Sequence, residues 1–230
     1  MKHQSNILAL KYRPLNFQDL IGQEYLVETI QKSIQQNKIP NAYIFTGIRG
    51  VGKTTTARIV AKMLNCTVFD KNNNPDLINC EQAKAITEDR HPDVIEIDAA
   101  SNTSVENARE IIENVKYNPV LGKYKVYIVD EVHMLSKSAF NALLKTLEEP
   151  PPHSKFIFAT TEISKVPITI LSRCQRFDLR RVEKKTLSDF LKSIAKKEDI
   201  KISNEALNLI VKASDGSVRD SLSILDQANI

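Results

Sequence analysis

Gly47-Ile48-Arg49-Gly50-Val51-Gly52-Lys53-Thr54 puts three glycines, a lysine and a hydroxyl residue within eight positions. That combination suits phosphate binding. Residues without a Cβ let the backbone fold tightly and aim N–H groups at phosphate oxygens. A helix starting near Lys53 adds its positive N-terminal end. The Lys53 ammonium can then reach the β- and γ-phosphates, with Thr54 ligating Mg²⁺ and Thr55 beside it. The pattern carries weight only between a strand and a helix. Ala42–Thr46 is β-branched and aromatic, and Thr55 to Leu64 is rich in helix formers with apolar residues on one side. A glycine-rich turn that merely joins strand to helix is the plain alternative; the full pattern in this context favours a nucleotide site.

A second set of candidates lies downstream. Asp130-Glu131 ends an apolar run, Lys125 to Val129. An acidic pair at the carboxyl end of a buried strand lies where open α/β sheets bind ligands. Asp130 can hold Mg²⁺ through its waters, and Glu131 can act as general base on the attacking water. The competing reading is an N-capping Asp at a strand-to-helix turn. Thr160-Thr161 ends another apolar run; a hydroxyl there can orient the same water, and strand propensity accounts for Thr equally well. His133 completes an Asp-Glu-Val-His string that superficially matches helicases. A helicase needs a second motor domain, so His133 reads as a polar turn residue.

Positioning these groups takes an α/β fold. Strands are expected at Ala42–Thr46, Val94–Asp98, Lys125–Val129, Lys155–Ala159 and Gln175–Leu179. Helical spacing appears at Val27, Ile30 and Ile34 within Glu24–Gln35. It recurs at Val105, Ala108, Ile111, Ile112 and Val115, and at Phe140, Leu143, Leu144 and Leu147, a helix stopped by Pro150 to Pro152. Strands alternating with helices imply a mostly parallel sheet with helices on both faces. Thr67 to Asn79 is a polar surface excursion. Beyond Leu179 only helical stripes remain, so we expect a nucleotide-binding α/β domain over 1–179 and a helical domain over 180–230. The last stripe ends uncapped, which suggests a piece of a longer chain.

Composition narrows the class. With 230 residues, 42% hydrophobic and 26% charged, the chain has the make-up of a globular protein. A net charge of +4 permits nucleic-acid contact without demanding it, because no long basic run appears. Neither a membrane-spanning apolar stretch nor a signal peptide is visible. Cys66, Cys80 and Cys174 are too few and too scattered for a disulfide framework. These features point to a cytoplasmic protein with no membrane partner.

Gly47 to Arg58, Val126 to Pro151, Phe156 to Glu162, Ile170 to Phe177 and Gly216 to Ala228, together with Lys11 to Glu24 and Glu96 to Asn102, resemble the bacterial clamp loader ATPases. These are the gamma/tau subunits of DNA polymerase III, and the resemblance runs over essentially the whole chain. It implies an AAA+ module, a P-loop α/β domain with an all-α lid. It implies that Thr161 is a sensor on the γ-phosphate side and Arg173 an arginine finger offered to a neighbouring subunit's ATP. Arg219 would be the lid's sensor arginine; read alone, both arginines are surface ion-pair partners. Guanidinium groups suit such roles because they neutralise charge on a transferred phosphoryl group. Tyr12, Arg13, Pro14 and Ile21 would lie around the adenine. Implied ligands are ATP and Mg²⁺. Implied partners are other clamp loader subunits in a hetero-oligomer, the sliding clamp, primed-template DNA and the polymerase III core.

The chain departs from the family pattern twice. Family members usually carry four zinc-binding cysteines after the P-loop helix; here only Cys66 and Cys80 remain. Asn74 and Leu77 stand at the intermediate positions, His91 is too distant to substitute, and Cys174 belongs to the Ser-Arg-Cys motif. No zinc is therefore expected. Secondly, the stretch that faces DNA in the family has Asn102 and Ser104 where basic residues are typical, keeping Arg109, which weakens DNA binding. The expected activity is ATP-driven loading of the sliding clamp onto primed DNA. Rivals are another AAA+ DNA remodeller, such as a Holliday-junction motor, and a subunit that binds nucleotide without hydrolysing it. The Lys-Tyr-Arg-Pro string (Lys11 to Pro14), the Ser-Arg-Cys finger and the Asp-Glu-Val-His element (Asp130 to His133) argue against the first. Intact Lys53, Asp130, Glu131 and Arg173 argue against the second.

Overall fold

The computed structural model describes residues 7–71, 74–102 and 105–229. Ser104 and the Asn72-Asn73 pair of the polar excursion lie outside them, and the side chain of Val105 is likewise not described. In chain order the helices and strands are α1 (Leu8–Lys11), α2 (Glu24–Gln35), β1 (Ala42–Thr46), α3 (Lys53–Asn65), α4 (Glu81–Thr87), β2 (Val94–Asp98), α5 (Val105–Val115), β3 (Lys125–Asp130), α6 (Lys137–Glu148), β4 (Ser154–Thr160), α7 (Ile168–Leu171), β5 (Gln175–Asp178), α8 (Lys184–Lys197), α9 (Asn204–Ala213) and α10 (Val218–Ala228). The five strands pair in parallel in the order β2-β3-β4-β1-β5. Asp98 aligns with Asp130, and Thr46 with both Thr160 and Asp178, so the strand ends that matter for chemistry share one edge.

The central strands read as unbroken apolar runs because both their faces are covered. Tyr43 and Phe45 of β1, Val126 and Ile128 of β3 and Ile157 of β4 pack with Ile30 of α2 and Ile59 and Val60 of α3. On the other face Ile44, Tyr127, Val129, Phe156 and Phe158 pack with Ile111 and Val115 of α5 and Phe140, Leu143 and Leu147 of α6. β5 at the edge is mostly exposed and anchored by Phe177.

Beyond Leu179, α8, α9 and α10 pack around Leu187, Leu191, Ile194, Leu207, Ile210, Leu222 and Leu225. Ser203 and Ser217 cap α9 and α10, each accepting the N–H three residues on. Leu8 of α1 is buried in this same cluster, and its N–H donates to Asp226 Oδ2 at 3.3 Å. α1 is thus seated on the helical unit. Among the described residues no helix is long and apolar enough to cross a membrane.

Candidate active site

The loop between β1 and α3 has the backbone that its glycines permit. Gly50 and Gly52 have φ of +74° and +109°, and Gly52 is the residue from which α3 starts. A Cβ on Gly50 would run into Ser217 Oγ and lie 3.1 Å from Arg219 Cβ. The N–H of Arg219 donates to the Gly50 carbonyl at 3.2 Å. The capped start of α10 is therefore pressed onto the glycine loop. Arg49 is exposed on the loop, whereas Val51 is buried in the core beneath it.

Lys53 opens α3 and is 5% exposed, with Nζ donating to the carbonyls of Gly47 and Ile48 at 3.0 Å each. Burial holds its pKa below the ordinary lysine value, against the pull of Glu131 and Asp130. The next residue, Thr54, donates from Oγ1 to Asp130 Oδ2 at 2.5 Å. Burial raises the Asp130 pKa above the usual carboxylate value, although the Thr54 hydroxyl and the Glu131 N–H draw it the other way. One carboxylate and one hydroxyl at a phosphate cradle are the protein ligands Mg²⁺ commonly takes, its remaining positions filled by phosphate and water.

Glu131 follows with φ of +46°, a left-handed conformation that costs energy for a residue with a side chain. Its Oε2 accepts the Thr161 N–H at 3.1 Å and the Thr161 hydroxyl at 2.9 Å. Thr160 is also engaged: its Oγ1 accepts the Glu162 N–H at 3.0 Å and lies 2.9 Å from His133 Nδ1. His133, read from the sequence as a turn residue, does sit in a turn, Val132–Met134, but is enclosed by these groups. Its neighbours come from β4, 27 residues on, which local pattern does not disclose.

Arg13 Nε donates to Thr55 Oγ1 at 3.2 Å, placing this guanidinium on the P-loop helix, with burial and the nearby Arg58 lowering its pKa. Arg58 itself pairs with Glu96 of β2 at 2.5 Å. Tyr12 packs against the helical unit, and its hydroxyl donates to Glu198, which raises its pKa to about 12. Ile21 packs there too. Arg219 is exposed and meets the loop through its backbone. Arg173 is held away from that group: its guanidinium contacts Glu148, at the end of α6, and donates to the Thr169 carbonyl at 2.6 Å.

Cys66 and Cys80 hydrogen-bond to each other in a small cluster with Ala83 and Leu77. Burial and the Cys80 contact push Cys66 up to about 12. Burial works against the Cys80 thiolate, yet the Cys66 thiol and the N–H groups of Ala83, Thr67 and Gln82 outweigh it and lower its pKa. Among the described residues no three His, Cys, Asp or Glu side chains converge to hold a metal. Two thiols closed off by a leucine do not fit a tetrahedral zinc site, which needs four good ligands. Asn102 binds the Asp98 carbonyl through Nδ2 at 3.0 Å, and Arg109 is exposed on α5.

Comparison with known proteins yields two family matches: DNA polymerase III, delta subunit, over residues 22–183, and DNA polymerase III clamp loader subunit, ATPase lid domain, over residues 186–229. The chain is 50% identical to DNA polymerase III subunit tau/gamma of Haemophilus influenzae, covering 96% of this chain and 32% of that protein. It is 49% identical to DNA polymerase III subunit tau of Bacillus subtilis (94% and 38%), and 47% identical to subunit gamma of Buchnera aphidicola from Schizaphis graminum (96% and 61%). It thus spans from about a third to three fifths of the length of these relatives. Among solved structures, the RuvB Holliday junction branch migration motor of Thermotoga maritima matches with a TM-score of 0.68 at 19% identity, over 94% of this chain and 64% of that one. At that identity the likeness is one of fold, the AAA+ α/β module with its helical lid.

Proposed function

Because this chain belongs to the DNA polymerase III clamp loader ATPase family, we propose that it is an ATP-hydrolysing motor module that drives placement of a sliding clamp on primed DNA. The observation that carries this reading is the meeting of Thr54 and Asp130 at 2.5 Å beside a Glu131 anchored by Thr161. The amides of the glycine loop and Lys53 bind the phosphates of ATP, and Thr54 and Asp130 hold Mg²⁺. When bound there, Mg²⁺ would neutralise charge that develops on the phosphates. Glu131 takes the proton of the attacking water, and Thr161 keeps the carboxylate in place.

Arg219, seated at the glycine loop by its backbone, serves the phosphates of the same chain, and Arg13 adds positive charge beside Thr55. Arg173 serves a neighbouring chain's nucleotide within a multi-subunit loader. Sliding clamp, primed DNA and polymerase core are partners of that assembly. Cys66 and Cys80, with Leu77 packed against them and no third or fourth ligand among the described residues, do not fit a zinc site.

Lys53→Ala and Glu131→Gln together test the reading. Loss of ATP binding is expected from the first, which removes the ammonium charge that holds the phosphates. Retained binding with turnover cut to a small residual rate is expected from the second, whose amide cannot accept the water's proton. Full hydrolysis by Glu131→Gln sinks the assignment of the base.

A further inference from the structure

His133 has no part in the chemistry above, yet its surroundings are those of the general base. The side chain is 6% exposed and follows Glu131 by two residues. Nδ1 lies 2.9 Å from Thr160 Oγ1 and 3.4 Å from Glu131 Oε2, while Nε2 lies 3.4 Å from Glu162 Oε1. Thr160 Oγ1 can pair with either form of Nδ1, since a hydroxyl both donates and accepts. The ionised Glu131 carboxylate can only accept, so a proton on Nδ1 turns the 3.4 Å approach from lone-pair repulsion into attraction. Thr161 and His133 then address the same oxygen, Oε2, and Oε1 carries none of these contacts.

The geometry points to His133 as a positioning residue for Glu131. With Thr161 it fixes the carboxylate by one oxygen and leaves the other to take the water's proton. Both anchors tie back to the end of β4, where Thr160, Thr161 and Glu162 are consecutive. The base is thereby registered to a buried strand, although it sits on a strained turn. This inference rests on the ATPase reading above. Losing a fixed geometry of this kind is costly, because a displacement of about 1 Å at a reacting group can cost roughly a hundredfold in rate.

The test uses the full-length chain in its assembled complex, with steady-state ATP hydrolysis and the affinity for a fluorescent ATP analogue as readouts. His133→Ala is expected to lower kcat by about tenfold or more while nucleotide affinity stays within about twofold. His133→Asn, whose amide nitrogen can occupy the Nδ1 position, should restore most of the rate; His133→Gln, which reaches the Nε2 position instead, should not. In a Glu131→Gln background, His133→Ala should slow the residual rate no further, because no base remains to be placed. A histidine that only fills space would slow both backgrounds alike, and that result overturns the inference. So does a kcat for His133→Ala within twofold of the parent. Should His133→Ala fail to fold, equal rates for the Asn and Gln variants overturn it as well. A parent complex without ATP turnover overturns the ATPase reading and this inference with it; a normal parent with an unaltered variant overturns this inference alone.

Discussion

Thr54 and Asp130 lie 76 residues apart in the chain and 2.5 Å apart in space. β4 stands between their strands, β1 and β3, so the glycine loop must carry α3 sideways across the sheet for them to meet. The closeness of the contact goes with burial. Asp130 carries its charge at a site where desolvation disfavours it, and the Thr54 hydroxyl and Glu131 N–H compensate only in part.

This arrangement sets activity against stability at Asp130. Folding raises its pKa above the ordinary value of 3.8. Its stabilising contribution is therefore fully present below that value and is lost as pH rises through the folded-state value, leaving a net cost at neutral pH. Asp130→Asn keeps an acceptor for Thr54 and removes the charge. The variant should melt at a higher temperature than the parent at pH 7 without nucleotide, and should lose Mg²⁺-dependent hydrolysis. A lower melting temperature at pH 7 would show that the carboxylate is a net stabiliser.

The seat of α10 on the glycine loop predicts that Gly50 tolerates no side chain. Gly50→Ala must move Ser217 or Arg219 and must also hold alanine at φ of +74°. We expect a stability loss of about 1–3 kcal/mol and weaker nucleotide binding, because the start of α10 is displaced with Arg219. Denaturant unfolding and a nucleotide titration check both. Unchanged values for both would mean that the contact between helical unit and loop is not maintained in solution.

Asp93 makes a third case, away from the nucleotide loop. It is fully buried and accepts the N–H groups of Val120, Leu121 and Gly122 at 2.7 Å each. Burial alone would raise its pKa, but these donors outweigh it and lower the value. The stabilisation is present above the ordinary value of 3.8 and is lost as pH falls through the folded-state value. Asp93→Ala strands three donors and should cost roughly 3 kcal/mol or more. Urea unfolding at pH 7 measures this, and the gap between parent and variant should narrow below pH 4.

Most of the site's parts were legible in the sequence because each carries a local signal. The eight-residue loop is punctuated by glycines, and Asp130-Glu131 closes an apolar run that is continuous because β3 is covered on both faces. What stayed hidden is set by distant contacts. Leu8 and Tyr12 sit on helices near the other end of the chain, pinned by Asp226 and Glu198, which no periodicity near residue 10 foretells. α4 has only Ala83 and Ile86 buried, too sparse a stripe to stand out. β5 was expected to reach Leu179 but ends at Asp178, with Phe177 its one buried residue. The setting of His133 depends on Thr160, and a DExH string alone suggested a different enzyme class.

Arg173 provides the test of assembly. Its contacts in this chain are Glu148, Thr169 and Ser172, on α6 and around α7, and none is a residue of the glycine loop. Its exposed ion pair with Glu148 contributes little to stability, so removing the guanidinium should leave folding and ATP affinity of the isolated chain almost unchanged. If Arg173 completes a neighbour's site, Arg173→Ala should slow ATP hydrolysis by the assembled loader by roughly a thousandfold. Chains carrying Lys53→Ala lack a working pocket but keep the finger. Mixed into one assembly with Arg173→Ala chains, they should restore part of the activity, since each mutant supplies what the other lacks. ATPase measured with clamp and primed DNA decides the matter. No recovery in verified mixed complexes, or a large loss of ATP affinity in the lone Arg173→Ala chain, would place the action of this arginine within its own subunit.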